Sequence, residues 1–153
     1  MSAEPFLQLF HASNADFSAF NPPSDDKEVR IPIDIGLGVF FSEDRSIESM
    51  ARSRVETSGG TPILYEARSA RPLRMKAYPA TFMFGCRAAE QPAALEAAIR
   101  EAGSAVELRH RLIREGYQGV VTGRGARTVV IFDPADIIIV KKHRLARSST
   151  SRR

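Results

Sequence analysis

At 153 residues the chain suits a single domain, and a domain of that size buries roughly 68–70% of the surface its unfolded chain exposes, so no covalent staple is required. Its one cysteine, Cys86, excludes an internal disulfide, and no run approaches the ~20 apolar residues that span a bilayer. The formal charge of +4 is unevenly placed: residues 141–153 hold six of the 22 basic side chains and no acid, which leaves 16 basic against all 18 acidic side chains, a net of −2, in the remainder. The basic character therefore belongs to a segment rather than to a body built for nucleic acid. This division predicts one domain over residues 1–140 and a basic, flexible tail over 141–153, whose charges offer at most a weak nucleic-acid contact. Glu4 lies where a secretory signal needs positive charge, so the expected location is cytoplasmic, or exported without a cleavable signal, with no membrane partner.

In chain order, Phe6 to His11 reads as a first strand, apolar enough to lie inside a sheet. Asn14 to Glu28 is polar and holds Asn21-Pro22-Pro23, the composition of a surface loop. Gly36-Leu37-Gly38 leads into a short strand at Val39-Phe40-Phe41. A helix over about Ser46 to Val55 places Ile47, Met50, Ala51 and Val55 on one face, and Ser58-Gly59-Gly60-Thr61 ends it. Ile63 to Ala67 is the next strand. Pro92 to Ala102 has Leu95, Ala98, Ile99 and Ala102 at helical spacing; Gly103 closes it, and Ser104 with Glu107 opens a second helix reaching about Glu115. Strands follow at Val120 to Thr122, Thr128 to Phe132 and Ile137 to Val140, with a Gly123-Arg124-Gly125 turn between the first two. Strands at both ends around a helical middle predict an α+β fold and not a doubly wound parallel sheet.

Familiar site types are missing from this pattern. His11, His110, His143 and Cys86 lack ligand spacing, so no metal is expected. Neither a phosphate-binding glycine loop nor a nucleophile elbow occurs. Taken singly, Ser13 and Ser42 suit caps for the segments after them, Phe40 or Phe41 suits core packing, and Arg124 and Arg127 suit a solvated turn, although two cations can also meet a pyrophosphate. Glu66 is a strand carboxylate with no spacing that recommends it.

Five segments in order carry a resemblance: Phe10-His11-Ala12-Ser13; Gly36-Leu37-Gly38-Val39-Phe40-Phe41-Ser42; Pro62 to Ala67 with Arg71-Pro72-Leu73; Leu112 to Val121 around Gly116-Tyr117-Gln118-Gly119; and Val129 to Pro134 with Ile137. Together they resemble the small toxin-like and phage-associated ADP-ribosyltransferases over residues 6 to 140. The resemblance implies a split β-sheet core with a few flanking helices, and NAD as substrate without a metal. It implies transfer of ADP-ribose to an acceptor, whether macromolecule or small molecule. Carried over, His11 anchors ribose, Ala12 holds the carboxamide, Ser13 and Ser42 add polar contacts, and Phe40 stacks on nicotinamide. The position of the family's glutamate is occupied by Thr128, so the implied catalytic set is His11, Phe40 and Thr128. Ala12 stands for a glycine, Phe40 for a tyrosine and Gln118 for an aspartate. Threonine can hydrogen-bond a ribose hydroxyl but is no base near neutral pH, and losing a positioned acid–base group costs ~10²–10⁴-fold in rate. An alternative therefore stands beside the transferase: a degenerate transferase fold that binds NAD, ADP-ribose or a protein.

Overall fold

The computed structural model describes residues 3–22, 36–79, 93–123 and 127–146. The described strands are β1 (Leu9–Ser13), β2 (Val39–Ser42), β3 (Ile63–Ser69), β4 (Met75–Tyr78), β5 (Gly119–Thr122), β6 (Thr128–Ile131) and β7 (Ile137–Arg144). They form one sheet in the order β4-β5-β6-β2-β1-β3-β7. All pairings are antiparallel except β4–β5, which is parallel and so needs a long crossover. That crossover contains α2 (Ala93–Ala102) and α3 (Ala105–Arg114), whereas α1 (Glu48–Ser58) lies against β1 and β3. The class is α+β.

Strand alternation divides the core in two. Val39 and Phe41 of β2, Val121 of β5, and Val129 and Ile131 of β6 join Phe6, Leu9, Leu73 and Met75 on one face. The residues between them, Val120 and Val130, join Leu37, Leu95, Leu108, Leu112 and Phe132 on the other face, with Phe40 packed against them. The helices reach this second face because their apolar positions recur every three or four residues. Ser104 Oγ accepts a hydrogen bond from Glu107 N at 3.1 Å, so the expected cap starts α3. The sheet narrows at its middle: β1 and β2 share one register pair, Phe10 with Ser42, against five between β1 and β3 and four between β2 and β6.

Several boundaries differ from the sequence expectations. The first strand begins at Leu9 and runs to Ser13, because Phe6 is held across the chain instead: its N–H donates to Ser69 Oγ at 2.9 Å and its carbonyl accepts from Ser69 N at 2.8 Å. Met50 is half exposed while Ala51 is fully buried, so α1 approaches the sheet through its smallest residue. β4 had no signal of its own, being four residues long at a sheet edge. The last strand runs on to Arg144 rather than stopping at Val140, since Lys141 to Arg144 pair with Glu66 to Ile63 across a bulge. Lys141 to Arg144 thus belong to the sheet and not to a flexible tail; residues 147–153 lie outside the described residues, as do Pro92, Cys86 and Arg124.

Candidate functional site

The strand registers bring one residue from each strand into a row across the sheet: Lys141, Glu66, Phe10, Ser42, Thr128, Thr122 and Tyr78. Directly opposed residues project from the same face, so Ser42 and Thr128 stand side by side. Phe40, two residues before Ser42, and Ala12, two after Phe10, share that face. Phe40, Ser42 and Thr128 are all half-buried. Four of the sequence-predicted residues therefore meet around the single β1–β2 pair.

His11 and Ser13 alternate to the opposite face. The His11 ring contacts Phe20 at 4.9 Å, Phe41 at 5.8 Å, Tyr65 at 6.2 Å and Phe17 at 6.3 Å between centroids, all edge-on. Its Nδ1 lies 2.8 Å from the Phe40 carbonyl oxygen. A carbonyl only accepts, so Nδ1 carries the proton and the imidazole is oriented by the β2 backbone. The structure joins His11 to Phe40 through that carbonyl while placing their two rings against different clusters. Ser13 Oγ accepts from Ala15 N at 3.1 Å and Ser42 Oγ from Asp44 N at 2.9 Å, so both hydroxyls fasten the turns that follow them.

Charged groups near the site are already engaged. Arg127 is not a solvated turn residue: its guanidinium donates to Glu43 Oε1 at 2.9 Å and Oε2 at 2.8 Å and to Glu4 Oε1 at 3.3 Å, above the ring of Phe6. These bonds hold the Glu43 carboxyl below its usual range and raise the Arg127 guanidinium. Arg127 is thus committed to carboxylates rather than to a pyrophosphate. Glu66 lies in the cross-sheet row but two strands from Ser42, about 10 Å at the usual spacing. Its oxygens accept from His143 Nε2 at 2.9 Å and Gln8 Nε2 at 3.2 Å, which hold its carboxyl below the usual range.

The residues around His11 that sequence reasoning missed lie in the expected polar loop. Phe17 stacks on Tyr65 at 4.3 Å and 7°, and the Tyr65 hydroxyl accepts from Phe17 N at 2.9 Å and donates to Ala15 O at 2.6 Å. Asp16 accepts from Lys142 at 2.7 Å and from Arg144. The available signal was two phenylalanines in an otherwise polar stretch. Among the described residues no group of three or more His, Cys, Asp or Glu could hold a metal ion, and no helix is long and apolar enough to cross a membrane. No family model, curated protein or solved structure matches the chain.

Proposed function

We propose that the chain is a mono-ADP-ribosyltransferase-like protein with a split-sheet transferase fold, which binds NAD where β1 meets β2. The observation that carries this reading is the grouping of Ala12, Phe40, Ser42 and Thr128 on one face beside the single β1–β2 pair. It gains support from five ordered sequence segments that resemble the family. In the reaction, the bond between ribose C1′ and the nicotinamide nitrogen breaks with its electron pair leaving on nicotinamide. The acceptor nucleophile forms the new bond to C1′ and gives up its proton to solvent or a base. The set proposed for this chemistry is Phe40 beside nicotinamide and Thr128 hydrogen-bonding a ribose hydroxyl, with His11, whose ring lies on the other face, positioning Phe40 through its Nδ1–H on the Phe40 carbonyl. Ala12 and Ser42 complete the proposed contacts to NAD on that face, while Ser13 lies on the other and fastens the turn after β1.

A specific observation favours the second reading, an NAD- or ADP-ribose-binding module with little turnover. Thr128 supplies no carboxylate, and the nearby carboxylates Glu43 and Glu4 are both engaged by Arg127. Thermal unfolding with and without NAD, alongside nicotinamide release, separates the readings. Saturating ligand at 100 times its dissociation constant adds about 2.7 kcal/mol of stability. A shift with nicotinamide release supports the transferase, and a shift without release supports the module. No shift at millimolar NAD overturns both.

A further inference from the structure

We infer that the rim where β4 meets the end of α3 binds the phosphate backbone of a single-stranded nucleic acid. This rim is separate from the β1–β2 junction: β5 and β6 lie between β4 and β2. Its floor is made by Tyr78 of β4 and Tyr117, which precedes β5; both rings pack on the edge of the second core cluster. Two cations stand over them. The Arg74 guanidinium carbon is 4.5 Å from the centre of the Tyr117 ring. The Lys76 ammonium is 5.7 Å from the same ring and 6.0 Å from that of Tyr78.

The positions of these cations are built into the backbone. Gly116 has a φ of +93°, and a Cβ there would stand 2.7 Å from Arg74 Nη1, so glycine leaves the space that the guanidinium occupies. Arg74 Nη1 donates to the Glu115 carbonyl at 3.2 Å. Its Nε is buried and has no hydrogen-bond partner, and neither Arg74 nor Lys76 has a carboxylate partner among the described residues. Two cations that lack a carboxylate partner can share an oxyanion held between them. Cations held over rings on an edge strand are ingredients that hold a single strand, whose flexible backbone can bring its phosphates to them. Arg111 lies near Tyr78, as do Glu115 and Glu101, so the positive patch is small and its contact weak and salt-sensitive.

The test is a fluorescence anisotropy titration of the full chain with a short fluorescein-labelled oligothymidylate over a salt series. Lys76→Glu should weaken binding severalfold and make the log-affinity versus log-salt slope shallower by about 0.7, the value of one single-strand phosphate contact. Lys76→Gln carries the same test with a milder change if the reversed charge disturbs folding. Arg54→Glu, an exposed reversal on α1, should leave affinity and slope as they were. Equal losses in the Lys76 and Arg54 variants would reduce the effect to bulk charge and overturn the site. So would an absence of binding at low salt, unchanged binding in both Lys76 variants, or full competition by inorganic phosphate at matched phosphate concentration.

Discussion

Arg127 shows how one side chain decides what its neighbours can do. It joins β6 to the turn after β2 through Glu43 and to the N-terminal segment through Glu4, and its guanidinium lies over the ring of Phe6. Arg127→Met keeps the stem and strands both carboxylates, so a loss of about 2–3 kcal/mol is expected in denaturant unfolding. A change below about 0.5 kcal/mol would mean that the cluster is solvated and contributes little. Thr128, the next residue, tests the proposed site directly. It stands opposite Ser42 on the face of Phe40. Thr128→Glu should raise nicotinamide release by at least about tenfold, because it places a carboxylate at the position that the proposed transferase reading assigns to one. An unchanged rate would show that the register of the resemblance is displaced or that the β1–β2 junction does not hold NAD.

At the scale of elements, β7 does more than close the sheet edge. Its second half pairs with β3, places Lys142 and Arg144 on Asp16, and places His143 on Glu66. The chain beyond it is also tied down, by Leu145 N to Pro62 O at 2.9 Å and Arg52 Nε to Ala146 O at 2.9 Å. Truncation after Val140 removes all of these contacts and should cost more than about 3 kcal/mol by chemical denaturation. Truncation after Ala146 retains them and should leave the midpoint within experimental error. Equal stability of the two truncations would show that the end of β7 is frayed in solution. Through Asp16 the same strand anchors the segment bearing Phe17, whose amide is bound by Tyr65 over the His11 ring. Tyr65→Phe deletes that acceptor, and the Phe17 amide should then exchange with solvent at least about tenfold faster, a loss of about 1.4 kcal/mol in local protection. Unchanged exchange would place the hold on this segment in its ring stacking alone.

For the whole molecule, the ionic links define an acid limit to stability. Glu43 is held below its usual range chiefly by Arg127, Glu66 chiefly by His143, and Asp16 chiefly by Lys142. A carboxylate whose pKa is lower in the folded state binds its proton more tightly once unfolded. Its contribution is therefore complete above the unfolded value, near 4, and disappears as pH falls through the folded value. The melting temperature should hold from neutral pH to about 5 and then fall on further acidification. In Arg127→Met the fall should be shallower, because Glu43 has lost its main partner. A melting temperature that rises on acidification below pH 4 would contradict the assignment of these pairs.

Local physics is written in neighbouring residues, and there the sequence was legible. The amphipathic spacing from Leu95 to Ala102, the Ser104 cap, the glycines at 59 and 60 that end α1, and the alternation of Val39, Phe40 and Phe41 each determined an element and the faces it presents. The class α+β followed from their order. Strand pairing was beyond its reach, because registers depend on residues far apart in the chain. Val140 looked like the end of the last strand because Lys141 to Arg144 are polar, yet Asp16 and Glu66, more than 70 positions away, engage three of those four residues at the sheet edge. Arg127 looked solvated until Glu4, 123 residues earlier, was brought beside it. The candidate site divides in the same way. Its residues could be named from the chain, but only the tertiary structure decided that Phe40, Ser42 and Thr128 share a face while the His11 ring lies on the other, since one register pair between β1 and β2 sets which side each side chain takes.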